Sequence, residues 1–169
     1  GDGLEADAAK TKSESKRKDQ LGWAKDAYQR ARGLFEEATQ AAPTMAEAWN
    51  GLGYTSRKVG DYTAALAAYD RALELKPGYP EATEYRAEAY LALGRIEEAK
   101  QAYLELFASN REIAGKLLAA MQKWIEGAKA GGDAARAEEL SKWVQERSQI
   151  AAQTASLTRA AGTGSSTGW

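Results

Sequence analysis

Displacing this sequence by 34 residues brings it onto itself. Pro43 falls on Pro77, and Gly60 falls on Gly94. Ala31, Ala65 and Ala99 come into register, as do Phe35, Tyr69 and Tyr103, and also Tyr28, Tyr62 and Ile96. Ala38, Ala72 and Leu106 follow at the next core position. A period of this size constrains the fold more than any single motif, because a unit so short cannot bury its apolar face alone. Within the unit the apolar residues recur at helical spacing. Tyr62, Ala65, Leu66, Tyr69, Ala72 and Leu73 form one stripe, and Ile96, Ala99, Ala102, Tyr103, Leu106 and Phe107 another. At this spacing the aromatic residues read as core rather than as a cofactor box. Alanine, the best helix former, supplies much of the apolar content, and strand-forming isoleucine, valine and phenylalanine are rare. The expected fold is therefore all-α, built from antiparallel helix hairpins.

The small residues fall where two helices must approach closely. Gly53 and Ala87 on the first helix of a hairpin, with Ala65 and Ala99 on the second, leave room for Trp49, Leu52, Tyr69 and Leu73. A larger residue at the small positions would overpack the contact at a cost of roughly 1–3 kcal/mol. Gly60-Asp61 and Gly94-Arg95 end first helices, because glycine accepts a left-handed turn. Pro43 and Pro77 end second helices, because proline cannot continue one.

The clearest copy spans Ala46 to Tyr79. It reads Trp49-x2-Leu52-Gly53, then Gly60-Asp61-Tyr62, Ala65-x3-Tyr69, Ala72 and Pro77. This ordered set resembles the tetratricopeptide repeat family, with Ser56 where tyrosine is usual and Tyr69 where phenylalanine is commonest. A looser copy, 80–113, keeps Ala87, Tyr90, Gly94, Ala99 and Tyr103 but has Thr83 for tryptophan and Arg111 for the closing proline. A first copy, 12–45, keeps only its second half, so its opening helix is either separate or fused into one long helix ending near Ala41. Residues 114–151 read as a degenerate capping hairpin. Asn110 caps a helix with Ile113, Leu117, Met121, Trp124 and Ala128 on one side. Gly131-Gly132-Asp133 breaks it, and Ala137, Leu140, Val144 and Ile150 face inward afterwards, with Trp143 nearby. The domain expected is 13–152, a right-handed solenoid, between a polar tail at 1–12 and a second tail at 153–169. Within the latter, residues 161–168 (AGTGSSTG) are flexible by composition, and the sequence then ends in Trp169. Trp169 reads either as an incidental residue, as a recognition tag, or as a plug for the chain's own groove.

Chemistry is limited by what is missing. The chain has no cysteine and no histidine, so thiolate and imidazole catalysis or metal ligation are absent. No acidic cluster carries a calcium-loop pattern, and no cofactor or metal is expected. A carboxylate-based hydrolase is the remaining enzymatic reading; its acidic residues have a simpler role as helix-surface charge. Lys and Arg number 23 against 24 Asp and Glu, without the basic stripe of a nucleic-acid binder. Five basic residues lie between Lys10 and Lys18, diluted by Glu14 and flanked by Asp7 and Asp19. No run of about 18 apolar residues exists to span a membrane. The chain opens on Gly1 without a signal core, which fits a removed leader or a trimmed chain. The compartment expected is a bacterial periplasm or cell envelope, with the cytoplasm as the alternative.

The resemblance implies a protein that binds peptides or helices in a concave groove lined by the first helices of its hairpins. Carried over by position, the groove residues are Glu47, Asn50, Tyr54 and Arg57, then Glu81, Glu84, Glu88 and Leu91, then Gln122 and Glu126, with Lys129 beside them. Glu81, Glu84 and Glu88 share one helical face, which implies a partner with basic residues. Some relatives clamp a chaperone's terminal carboxylate with lysine, asparagine and arginine; here Glu81 and Glu84 occupy that face, so the clamp is missing. A structural role as a homo-oligomer, self-associating through the imperfect first or last hairpin, stays open beside partner binding.

Overall fold

In the computed structural model the backbone is described for residues 2–163 and the side chains for residues 13–158. These residues form seven helices and no strand. They are α1 (Asp2–Ala41), α2 (Ala46–Val59), α3 (Tyr62–Leu75), α4 (Pro80–Ala92), α5 (Ile96–Ser109), α6 (Arg111–Ala130) and α7 (Ala134–Thr163). The all-α, hairpin-repeat class expected from the period is the class found. The chain divides into two compact units between Ala89 and Tyr90, inside α4.

In the first unit α1 packs on α2, and α2 pairs with α3. The 34-residue period places Asp26 where the next copies have Gly60 and Gly94. Those glycines take φ of 92° and 70°, the left-handed region, while no described non-glycine residue has positive φ. A side chain there costs roughly 1–2 kcal/mol. At Asp26 the helix therefore runs on, and the first copy is one 40-residue helix instead of a hairpin. Residues 2–12, expected as a tail, belong to it. After α2 the chain turns through a Schellman motif: Asp61 donates its N–H to the Ser56 carbonyl and Gly60 to that of Arg57. Asp61 then caps α3 by accepting from the Ala64 N–H at 3.1 Å. The Trp49 indole donates to the Pro43 carbonyl at 2.9 Å, which ties the α1–α2 turn to α2. α4 starts on Pro80, whose fixed φ suits a first helical position.

The core of this unit sets large rings against small residues. Tyr69, Ala65 and Ala72 are fully buried, while Trp49, Leu52 and Leu73 are half-buried. Gly53 is a close approach: a Cβ there would stand 2.5 Å from the Tyr69 ring. Gly51 plays the same part against Phe35.

In the second unit α6 packs on α5 and on α7. Arg95 donates to the Tyr90 carbonyl and Asp133 to that of Ala128, repeating the turn found after α2. Gly132, at φ 91°, takes the place of Gly60 and Gly94. Asn110 caps α6, its side chain accepting from the Ile113 N–H at 3.1 Å. Ile113, Ala114, Leu117, Met121 and Ile125 are buried on α6, with Trp124 and Ala128 half-buried. Tyr103 is buried between Phe107 and Trp143, with ring centroids 5.7 and 5.3 Å away. On α7 Ala137, Leu140 and Val144 face inward, but Ile150 is 39% exposed. The inward phase of the helix passes through Arg147, Ser148 and Ala151 instead. No glycine or proline falls between Ala134 and Ala161, so α7 runs past residue 153, where a tail was expected. Residues 164–169, including Trp169, lie outside the described residues.

Candidate partner-binding face

Helical spacing puts Glu47, Asn50, Tyr54 and Arg57 on one face of α2, and Glu81, Glu84 and Glu88 on one face of α4. The first unit brings these two rows together at two points. Arg57 forms an ion pair with Glu88, its side chain only 11% exposed. Tyr54 contacts Tyr85, which lies one residue past Glu84, with centroids 5.2 Å apart. Tyr28 on α1 meets Tyr54 edge-on at 6.0 Å. Three half-buried tyrosines from three helices thus form one continuous aromatic strip.

Cations line this strip. The Arg57 guanidinium lies 5.5 Å from the Tyr54 centroid and 5.6 Å from that of Tyr85. Lys58 Nζ lies 5.3 Å from Tyr54 and 5.9 Å from Tyr28. Both distances fit cation–π attraction. Burial opposes the charge on Arg57, yet Glu88 and then Tyr69 outweigh it and hold its pKa above the usual value. Burial pushes the Tyr54 hydroxyl up to about 12, with Tyr28 adding to the effect. Burial also raises Tyr85, followed by the nearby charges of Glu84 and Glu88. Tyr69 is raised by burial too. Arg57 counters part of that, but the Tyr69 hydroxyl has no partner in hydrogen-bonding geometry.

At the start of α2, Glu47 accepts from Lys76 at 2.8 Å, which holds its carboxyl below the usual range. Lys76 in turn sits 4.2 Å from the centroid of Tyr79. Asn50 is 9% exposed, and its Oδ1 has no hydrogen-bond partner.

The acidic row differs from the sequence expectation. Glu84 is 6% exposed and Glu88 is engaged by Arg57, leaving half-buried Glu81 as its remaining member. Arg86 on the same helix is paired with Asp70 on α3 at 2.7 Å. In the second unit Leu91 is 3% exposed and belongs to the core, a correction to its expected place in a groove. It continues the buried stripe that Ala87 occupies one turn earlier. Gln122 and Glu126 are exposed and line an open cleft of about 580 Å³ along α6 and α7 with Lys129 and Ser141. Tyr85, Tyr28 and Tyr79 were missed by position. Tyr85 would have been found by looking 31 rather than 34 residues beyond Tyr54, the separation that Arg57 and Glu88 also share.

Among the described residues no group of three His, Cys, Asp or Glu is placed to hold a metal, and no helix is long and apolar enough to cross a membrane.

Two tetratricopeptide-repeat family models match the chain, one over residues 23–80 and the other over residues 57–121. Protein SGT1 homolog of Oryza sativa is 30% identical over 155 residues, 86% of this chain and 41% of that protein. The TPR repeat-containing thioredoxin TTL4 of Arabidopsis thaliana is 41% identical over 78 residues, 45% of this chain and 11% of that protein. Protein FlbA of Caulobacter vibrioides is 36% identical over 66 residues, 39% of this chain and 11% of that protein. The chain thus spans less than half the length of these relatives.

Proposed function

The chain belongs to the tetratricopeptide-repeat family, and from that premise we propose that it is a non-catalytic module holding an extended segment of another protein against α2 and α4. The observation that carries this reading is the strip of Tyr28, Tyr54 and Tyr85. Tyrosine gives large contact area at low entropic cost, with a hydroxyl tip that adapts to donors or acceptors, and it is enriched at binding hot spots. Asn50 lies one turn before Tyr54 on the same helix face and can orient a backbone amide with its side-chain amide. Lys58 and Arg57 beside the rings, and Glu81 on the neighbouring helix, give the face mixed charge. A partner segment with an apolar or aromatic anchor fits this face better than a purely basic one, and a basic residue in it would lie toward Glu81. The lack of histidine removes the commonest general base, and the lack of cysteine removes thiolate nucleophiles.

The test starts from peptides selected on the purified protein from a random display library, with binding read by fluorescence anisotropy. Tyr54→Ala is expected to weaken the selected peptides tenfold or more, while helix content by circular dichroism is unchanged. Glu81→Gln is expected to act only on peptides with a basic residue. Peptides that bind Tyr54→Ala as tightly as the parent protein would place the binding face elsewhere.

A further inference from the structure

We propose that a pocket in the second unit, among α5, α6 and α7, binds a small aromatic acid, with the ring between the helices and the carboxylate on Arg111.

The pocket holds about 200 Å³, and the described residues that line it all belong to the second unit. Tyr103 and Phe107, one turn apart on α5, form one wall, their rings stacked at 21°. Ala151 and Ala155, one turn apart on α7, form another, and Gly115 and Leu118 line it from α6. Nothing stands within 4 Å of the missing Cβ of Gly115. Glycine inside a helix is disfavoured against alanine, yet here it and the two alanines keep the space open. An apolar cavity of about 150 Å³ holds a benzene ring. The present volume of about 200 Å³ therefore takes a ring with a short side arm. Aromatic walls favour an aromatic occupant through offset or edge-on contacts.

Charge sets the other end of the ligand. Among the described residues that line the pocket Arg111 alone is charged, and it is exposed. Its guanidinium rests 5.0 Å from the Phe107 centroid, beside the ring wall. Among the described residues it makes no ion pair. The neighbouring acids do not supply one. Glu112 is held by Lys116 at 3.1 Å, and Glu105 lies on the opposite side of α5 from Tyr103 and Phe107. Residues 150–158 of α7 carry no charge, and the next charge on the face of Ala151 and Ala155 is Arg147, which is basic. A guanidinium meets a carboxylate with two parallel N–H donors. A pocket that is apolar inside and cationic at its mouth therefore selects an acid over the corresponding alcohol or amine. Apart from Arg111 and the Tyr103 hydroxyl, the lining side chains have no group to bond a peptide unit. The ligand is accordingly a free acid and not the end of a chain.

Titration of the full chain with hydrocinnamate, followed on the amide resonances of Ala151 and Ala155 by NMR, is the test. A dissociation constant on the order of a millimolar is expected for a ligand of this size in an open pocket. Hydrocinnamyl alcohol, the same ring and arm without the charge, should bind at least tenfold more weakly. Arg111→Gln should weaken the acid at least tenfold and leave the alcohol unchanged. Gly115→Leu, which fills the pocket from a position with open space at its Cβ, should abolish binding of both with helix content by circular dichroism retained. N-acetylphenylalanine, which adds the peptide group of a chain end, should bind more weakly than the plain acid. No shift up to about ten millimolar acid overturns the proposal, as does an acid that binds no tighter than its alcohol. Binding indifferent to Arg111→Gln or to Gly115→Leu also overturns it. An N-acetylphenylalanine that binds more tightly than hydrocinnamate would make the pocket a seat for a chain end and overturn the free acid as its ligand.

Discussion

Gly53→Ala tests whether the hairpin of α2 and α3 is held by a ring pressed on a backbone. The added Cβ would lie 2.5, 2.6 and 2.9 Å from three atoms of the Tyr69 ring. Tyr69 is fully buried and cannot swing aside, so α2 and α3 must part. Overpacking of this kind costs roughly 1–3 kcal/mol, and contact with three ring atoms puts it near 3. Replacing glycine by alanine inside a helix returns about 1 kcal/mol. The net expectation is a loss of about 2 kcal/mol, or roughly 4–8 °C in Tm for a chain of this size. Gly33→Ala is the control in the same unit. With open space at its Cβ it should gain about 1 kcal/mol. Urea and thermal denaturation of dilute protein, followed by circular dichroism, measure both. In a Tyr69→Leu background Gly53→Ala should become neutral or stabilising, since the ring that opposes it is gone. If Gly53→Ala stabilises the parent protein as Gly33→Ala does, Tyr69 does not bear on α2 and the account of this core is wrong.

Two further expectations concern the binding face. Arg57→Met and Glu88→Leu should each cost about 2 kcal/mol in urea denaturation, because each strands a largely buried charge, while the double variant should be near neutral. Single costs that simply add in the double variant would show that the two do not act as a pair. Alkaline pH should destabilise the protein. Tyr54, raised to about 12 by burial and then Tyr28, keeps its proton in the folded state. The unfolded chain loses that proton near the ordinary value of about 10. Stability is thus fully present below pH 10 and falls as pH rises from there through about 12. Tyr69, Tyr79, Tyr85 and Tyr103, all raised with burial as the first cause, act in the same sense. Unfolding midpoints measured at pH 9 and 11 check the direction, and Tyr54→Phe should reduce the drop.

The repeat was legible wherever a residue type had one conformational use. Gly60, Gly94 and Gly132 all take positive φ, and Asn110 caps α6 as its position implied. The continuity of α1 depends on what Asp26 fails to do, and an absent turn signal is harder to read than a present one. The length of α7 was missed for a similar reason. The tail was placed from 153, although the alanine-rich sequence that follows has no glycine or proline before Gly162 and favours a helix. Gly132 follows Gly94 by 38 residues instead of 34, an insertion of one helical turn, so sliding by a fixed period loses the last hairpin. On the binding face the register found Tyr54, Arg57 and Glu88 but not how they meet. Contacts between successive first helices run at 31 residues, one turn short of the period. The sequence offset therefore pairs equivalent residues rather than touching ones. Hence Tyr85 was overlooked, and the acidity of Glu88 was counted without Arg57 beside it.

The unbroken ladder of hydrogen bonds through Asp26 also governs how motion is transmitted. Two helices joined by a glycine turn can tilt about that turn, while a single helix bends only gently over such a length. Residue 13 lies about 22 Å along the axis from Tyr28, at 1.5 Å per residue. Its direction in space is set where Tyr28 and Phe35 are anchored on α2. Whatever the far end of α1 carries is therefore aimed as well as tethered. A small rotation of α1 at its anchor is magnified along the rod, which makes this helix a lever whose fulcrum is the tyrosine strip.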